Sequence, residues 1–153
     1  FAHAWASAAA LRYGMHDVYA SSAGTEATEV APPVIEALEA AGFRMDGAGD
    51  FDFEGNRTQS EYLTNMDPDL GPIMLFSKTI DELDYRASDF AAIMVCSDAE
   101  RNCPFVPGAS ARFSLPYTDP KMSDGTPGET GTYRERSEEI AREMLRLMEL
   151  VSA

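Results

Sequence analysis

The sequence is poor in positive charge and contains no long apolar run. Among its 153 residues, 12 Lys and Arg stand against 26 Asp and Glu, which leaves a formal net charge of −14. Such a surface repels phosphate backbones and anionic lipids, so neither nucleic acid nor a membrane is expected as a partner. No stretch approaches the roughly 18 consecutive apolar residues of a membrane-spanning helix, and the Ala-rich start lacks the charged flank of a signal peptide.

Cysteine is equally scarce. Only Cys96 and Cys103 occur, which excludes the disulfide framework of a small secreted protein and favours the reducing cytoplasm. Zinc is a poor explanation for the pair, because zinc motifs space their thiols more closely and only His3 and His16 could complete the ligand set. We therefore expect no metal and no other cofactor.

The length of 153 residues and the hydrophobic content of 44% suit one compact domain over residues 1–153. Helices are predicted at 1–13, 32–42 and 133–151, and strands at 18–23, 90–96 and 112–117, with a brief apolar run at 73–76. Residues 47–71 combine Gly, Asp, Asn and Pro with little periodicity, which indicates an irregular excursion. The alternation of helices with strands predicts a single-domain α/β fold on a mostly parallel sheet.

The sharpest local feature follows the strand predicted at 90–96. Cys96 and Cys103 bound the segment Cys-Ser-Asp-Ala-Glu-Arg-Asn-Cys, at the strand end where open α/β sheets bind ligands. A disulfide needs Cα atoms within about 6 Å, whereas this step spans about 10 Å in a helix and over about 20 Å when extended. The segment must therefore loop back to form one, and such a bond would serve as a redox switch. The alternative is one buried core thiol and one incidental loop thiol.

A second feature is Asp119, in the segment Pro-Tyr-Thr-Asp-Pro directly after the strand predicted at 112–117. Pro120 disfavours helical geometry at Asp119 and holds the carboxyl group at a fixed angle. Asp119 is therefore a candidate general acid for a leaving oxygen. The alternative is an ordinary Asx-Pro turn without a chemical role.

A third feature is Ser22, near the end of the strand predicted at 18–23 and followed by Ala, Gly, Thr and Glu. Gly24 permits close backbone approach, and the hydroxyl group of Ser22 can hydrogen-bond a neighbouring loop. As an isolated motif it predicts no particular chemistry. His3 and His16 are expected to be ordinary surface or helix-end residues.

Taken in chain order, these features resemble the low-molecular-weight protein tyrosine phosphatases. The resemblance spans nearly the whole chain and rests on the Ser-Ala-Gly-Thr-Glu segment at 22–26, the strand at 90–96, the Cys-x6-Cys-Pro segment, the Asp119-Pro120 turn and the long last helix. The spacing of Cys96 and Cys103, with Ser-Asp-Ala and Asn between them, is specifically similar to the thioredoxin-coupled arsenate reductases of that superfamily.

The resemblance implies a three-layer fold with a mostly parallel four-stranded sheet. It implies that the first strand and a Cys-x5-Arg-Ser loop, which cradles the oxyanion, belong before Phe1, and that residues 1–13 are the remainder of the helix after that loop. Residues 1–153 alone then lack the nucleophile and are expected to be inactive.

For the intact protein, the resemblance implies that the loop thiolate attacks arsenic or phosphorus, Asp119 protonates the departing oxygen and Ser22 supports the loop. In arsenate reduction, Cys96 then attacks the loop thiol and releases arsenite. Cys103 attacks the resulting disulfide, which leaves a Cys96–Cys103 bond for thioredoxin to reduce. The expected partners are arsenate, phosphate or a phosphoester, and thioredoxin.

Two other functions remain open. The acidic excursion at 47–71 and the Asp-Pro-Lys run at 119–121 depart from compact arsenate reductases. The segment at 117–126, which contains this run, resembles a phosphatase-like branch of the superfamily. In the phosphatase alternative, water hydrolyses the thiophosphate while Cys96 and Cys103 are bystanders. A non-catalytic binding module that kept the scaffold and lost its loop is the third alternative.

Overall fold

A computed structural model of the chain describes residues 1–47, 62–65, 72–82, 89–96 and 106–153. These ranges contain, in chain order, α1 (Ala2–Arg12), α2 (Pro32–Ala40), β1 (Arg44–Gly47), β2 (Tyr62–Asn65), β3 (Ile73–Leu75), β4 (Phe90–Cys96), β5 (Ala109–Tyr117) and α3 (Glu129–Ser152). Short 3₁₀ helices cover Ile80–Glu82 and Pro120–Ser123. The described part of the chain is therefore a mixed α/β structure.

The strands form two separate sheets. β4 and β5 pair in parallel, as expected for the strands predicted at 90–96 and 112–117. β1, β2 and β3 form an antiparallel sheet in that order, which the sequence-based prediction lacks. The prediction of an irregular excursion is wrong for Tyr62–Asn65, which form β2. Strands of three or four residues are too short to show the alternation that marks a half-buried strand.

Residues 18–23, predicted as a strand, carry no regular secondary structure. Directly after this segment, Gly24 forms an isolated parallel bridge with Thr79. The N–H of Gly24 donates to the carbonyl oxygen of Lys78 at 2.9 Å, and the N–H of Ile80 donates to the carbonyl oxygen of Gly24 at 3.0 Å. β-propensity alone does not make a strand, because a ladder needs a neighbouring backbone to pair with.

The helix α1 lies between two hydrophobic clusters. Its buried alanines are Ala4, Ala6, Ala9 and Ala10. The last three pack with Tyr117 of β5 and with Ile140, Met144 and Met148 of α3. Ala4 packs on another side, with Leu38, Phe43 and Leu75. A small side chain at each of these positions lets neighbouring elements approach the helix on more than one side, which explains an Ala-rich helix without a single apolar stripe.

The last helix was predicted at 133–151 and spans Glu129–Ser152. Its buried positions recur every three to four residues and are Tyr133, Ser137, Ile140, Ala141, Met144 and Met148. On its exposed face Arg142 lies 4.0 Å from Glu138, the pair expected from their spacing of four residues. None of the described helices is long and apolar enough to cross a lipid bilayer.

Candidate functional site

The carboxyl ends of β4 and β5 lie side by side. The parallel register pairs Phe90 with Ala109 at one end and Cys96 with Tyr117 at the other. Asp119 follows Tyr117 by two residues, so the backbone of Cys96 and Asp119 lie at the same edge of this sheet. The side chain of Cys96 and all of residues 97–105, including Cys103, lie outside the described residues. The thiol relay therefore stays a prediction.

The carboxylate of Asp119 caps a short helix. Its Oδ1 accepts a hydrogen bond of 2.9 Å from the backbone N–H of Lys121, and it is the N-cap of the 3₁₀ helix Pro120–Ser123. The hydroxyl group of Ser123 closes the same turn by donating to the carbonyl oxygen of Pro120 at 2.7 Å. The Asx-type turn considered from the sequence is thus formed. It uses one carboxylate oxygen and leaves the side chain exposed at the surface.

Tyr133 connects the segment at 118–124, which we call the Asp119 loop, to the beginning of α1. Its hydroxyl group donates a 2.8 Å hydrogen bond to Oδ1 of Asp124, and its ring meets the Phe1 ring edge-on at a centroid distance of 6.4 Å. The pKa of Tyr133 is raised by burial, then by the hydrogen bond to Asp124 and by the negative charges of Asp124, Asp119 and Glu129. The carboxylate of Asp119 therefore acts on a side chain that also touches the residue preceding α1.

Ser22 lies on another side of the same helix end. Its Oγ is 3.3 Å from Nδ1 of His3, in the first turn of α1. The pKa of His3 is lowered to about 4, first by burial and then by the positive charge of Lys78, while a hydrogen bond with the backbone of Ala20 opposes the shift. Ser22 was predicted to support a loop, and its described side-chain contact is with His3. His3 is a helix-end residue as expected, but it is partly buried.

Lys78 is a functional candidate that the sequence analysis did not identify. Its side chain is buried, and its Nζ lies 4.0 Å from the centroid of the Phe76 ring. Burial lowers the pKa of Lys78, and the charge of Glu82 partly offsets this. Glu82 accepts hydrogen bonds from the N–H and the hydroxyl group of Thr79, which lower the pKa of Glu82. Nothing in the local sequence marks Lys78, because burial of a lysine depends on tertiary packing.

The N-terminal end of α1 is thus flanked by two groups of side chains. Tyr133, on which the charge of Asp119 acts, contacts Phe1, and Ser22 contacts His3 in the first turn. The free N–H groups and the dipole of a helix favour an anion at its N-terminal end. Within the described ranges, no group of three or more His, Cys, Asp or Glu could hold a metal ion.

Comparison with known proteins identifies no family for this chain. No protein-family model matches the sequence, and no curated protein matches it either. The structure defines a mixed α/β protein in which Tyr133 and Ser22 contact the N-terminal end of α1.

Proposed function

We propose that the chain is the larger part of an oxyanion-processing enzyme with the low-molecular-weight phosphatase architecture, and that its reaction is thioredoxin-coupled arsenate reduction. In this proposal a strand and a Cys-x5-Arg-Ser loop precede α1. The strand completes a mostly parallel four-stranded sheet in a three-layer domain, between residues 18–23 on one side and β4 on the other.

The positions of Cys96, Asp119 and Ser22 carry the proposal. The backbone of Cys96 pairs with the residue two positions before Asp119. The charge of Asp119 acts on Tyr133, which contacts Phe1, while Ser22 contacts the first turn of α1. The family resemblance gives each of the three residues a role in oxyanion chemistry, and that chemistry needs an anion cradle with an acid beside it.

Packing around the parallel pair supports the completed sheet. Val95 of β4, Leu115 of β5 and Ala20 all pack partly buried against the cluster that α1 and α3 share. Parallel strands are normally buried on both faces within larger sheets. A strand between residues 18–23 and β4 would pair with both and turn this shared surface into one continuous layer.

The proposed reaction begins with attack of the loop thiolate on arsenic, with loss of an oxygen that Asp119 protonates as it leaves. The thiolate of Cys96 then attacks the loop sulfur. The electron pair of the sulfur–arsenic bond stays on arsenic, which leaves as arsenite, and a disulfide joins Cys96 to the loop. Cys103 attacks Cys96, frees the loop thiolate and forms the Cys96–Cys103 disulfide, which the dithiol of thioredoxin reduces.

Phosphoester hydrolysis is the second candidate function, and the hydrogen bonds that hold the Asp119 loop favour it. Three described hydrogen bonds hold this loop, from Lys121 to Asp119, from Ser123 to Pro120 and from Tyr133 to Asp124. A fixed acid next to an anion cradle suffices for a phosphatase, because water can hydrolyse the thiophosphate without a further thiol. Cys96 and Cys103 then take no part in turnover.

The decisive experiment compares wild type with Cys96→Ser and Cys103→Ser in the full-length gene product. Two activities are measured, thioredoxin-coupled arsenate reduction and hydrolysis of an aryl phosphate. We expect both variants to lose arsenate reduction to background while any aryl phosphate hydrolysis is retained. Ser97→Ala is the matched control, because it changes one atom beside Cys96 and leaves both thiols in place.

Three results would contradict the arsenate proposal in different ways. Arsenate turnover that survives Cys96→Ser would show that the proposed Cys96–Cys103 relay is wrong. Aryl phosphate hydrolysis without arsenate reduction in wild type would favour the phosphatase function. An upstream loop that carries another residue in place of its Cys, with neither activity in wild type, selects the non-catalytic binding module. Denaturant unfolding of Cys96→Ser separates loss of chemistry from loss of fold.

A further inference from the structure

A groove of about 580 Å³ runs along α1, starting at His3 and extending away from the N-terminal end of the helix. His3, Ser7 and Leu11 line it, and their spacing of four residues puts them on one face of the helix. The core-facing alanines occupy the other faces. A volume of this size lies within the range of roughly 300 to 1,000 Å³ that small-molecule sites occupy.

The opposite walls of the groove carry large apolar side chains that are exposed to solvent. Tyr19 is 89% exposed, Met74 is 47% exposed and Val18 is 36% exposed, and all three line the groove. Exposed apolar side chains gathered at one concave surface are typical of a binding site, whereas single ones scattered over a surface need no explanation. An aromatic ring and a thioether are side chains that make favourable contacts with a flat apolar ligand.

A buried cation lies at the His3 end of the groove, where burial and then this positive charge lower the pKa of His3. Lys78 lines the groove and is only 9% exposed. None of the described carboxylates forms an ion pair with Lys78. Burial lowers the pKa of Lys78, whereas the charge of Glu82, which lines the same groove and accepts hydrogen bonds from Thr79, raises it. A desolvated ammonium group without an ion-pair partner gains strongly from an anion placed beside it. The imidazole of His3 provides a further hydrogen-bonding group at the same end.

We propose that this groove binds a small planar organic anion of the aromatic carboxylate class, with its ring between Tyr19 and Met74 and its carboxylate on the ammonium group of Lys78. Apolar walls supply most of the contact area, and the one buried cation selects the charge of the ligand. The site is separate from the Asp119 side of α1. It does not depend on which oxyanion the proposed enzyme processes.

The experiment uses 2-naphthoate as the probe and its neutral counterpart 2-naphthamide as the charge control. Binding to the full-length protein is followed by methyl NMR signals of Met74, Val18 and Leu11 during titration, with calorimetry for the affinity. We expect 2-naphthoate to shift these signals and to bind at least about tenfold more tightly than the amide, a difference of about 1.4 kcal/mol. Equal affinity for the two probes, or shifts that spread to Met122 and Leu150, would overturn the proposal.

Two lysine variants test the role of the buried cation. Lys78→Met keeps an unbranched apolar side chain over Phe76 and deletes the charge, and we expect at least a tenfold loss of 2-naphthoate affinity. Lys121→Met is the matched control at the only other lysine, and its affinity should stay within twofold of wild type. If both variants bind like wild type, Lys78 does not hold the anion and the proposal fails.

A variant that blocks the groove without changing any charge guards against misfolding of Lys78→Met. Ser7→Met extends a longer side chain from the middle of the groove-facing side of α1, and we expect it to abolish binding of 2-naphthoate. Circular dichroism and thermal unfolding establish that each variant is folded. Undiminished binding to a folded Ser7→Met protein would show that the probe lies elsewhere.

Discussion

The indole Nε1 of Trp5 donates a 3.0 Å hydrogen bond to the hydroxyl oxygen of Ser137, from the first helix to the last. Ser137 is 2% exposed, and the ring of Trp5 meets Phe43 edge-on at 4.9 Å. The Trp5 side chain therefore connects α1 to α3 through its indole N–H. Through its ring it contacts the hydrophobic cluster that contains Leu38, Phe43 and Leu75. The contact therefore joins the packing of the first and last helices to that of the cluster around Phe43.

Ser137→Ala should destabilise the protein by about 1 to 3 kcal/mol, because it leaves the buried indole N–H of Trp5 without an acceptor. Denaturant unfolding measures this loss in the free energy of unfolding. Thr130→Ala, at an exposed position of the same helix, is the control and should stay within about 0.5 kcal/mol. In the double variant with Trp5→Phe, the loss from Ser137→Ala should shrink, since the orphaned donor is gone. Equal losses in both backgrounds would contradict the assigned hydrogen bond.

Leu38→Ala should cost about 2 to 5 kcal/mol of unfolding free energy, because Leu38 is fully buried, at 0% exposure, in the cluster with Ala4, Phe43 and Leu75. The loss includes the transfer energy of the deleted methyl groups and the cavity that they leave. Leu150→Ala removes the same atoms at a position that is 62% exposed and should change stability by less than about 0.5 kcal/mol. Similar losses for the two variants would mean that α2 does not pack as described.

The stability of the protein should fall as the pH is lowered from about 6.5 to about 4, in part because of His3. The pKa of His3 is lowered from 6.5 to about 4 in the folded protein. In this window the unfolded chain binds a proton that the folded protein does not, so protonation favours unfolding. The contribution reaches at most about 3 kcal/mol at the acid end, since one pKa unit corresponds to about 1.4 kcal/mol.

His3→Gln removes this titration, so its unfolding free energy should vary less with pH than that of wild type between those limits. Ser22→Ala is the control, because it removes the hydroxyl group that contacts His3 and keeps the imidazole, so its pH dependence should parallel that of wild type. The comparison uses slopes, because His3→Gln also alters the contact with Ser22 at every pH. Parallel slopes for wild type and His3→Gln would show that the imidazole of His3 is not held neutral by the fold.

Asp119→Asn separates the two roles considered for this side chain. Asparagine keeps an oxygen that can accept from the N–H of Lys121, so stability should change by less than about 0.5 kcal/mol. If Asp119 is the general acid, turnover of the full-length protein should nevertheless fall by a factor of about 10² to 10⁴. Asp119→Ala should lose turnover as well as stability, with about 1 kcal/mol of unfolding free energy lost because the helix cap is missing.

Asp17→Asn is the matched control for these Asp119 variants, because it removes one exposed carboxylate outside the candidate site. Its turnover and its stability should equal those of wild type. Wild-type turnover in Asp119→Asn would leave Asp119 as a turn residue only, and the proposed protonation of the leaving oxygen would be wrong.

Long, periodic or continuous apolar segments were predictable from the sequence. The helix predicted at 133–151 spans Glu129–Ser152, and the helix predicted at 1–13 spans Ala2–Arg12. In the latter case Gly14 marks the end, with a φ of +70° that favours glycine. The run at 90–96 forms β4 with those bounds. In each case the determining signal lies within the segment itself.

Part of the candidate site was also predictable. Asp119 and the backbone of Cys96 were expected at one edge because each follows or ends a strand of a parallel sheet, and the pairing of Cys96 with Tyr117 agrees. The antiparallel strands β1 and β2 were missed. Their partners lie far along the chain, as in the pairing of Arg44 with Asn65, and short strands carry little local signal.

The sequence by itself determined the helices, the apolar strand β4, the acidic surface and the residue types available for chemistry, because periodicity, turn residues and charge are local properties. Only the tertiary structure decided that Lys78 is buried and His3 partly buried, that Tyr133 links the Asp119 loop to Phe1, and that a groove runs along α1. Burial and proximity depend on which distant segments pack together. Desolvation and neighbouring charges then set the chemistry of each side chain.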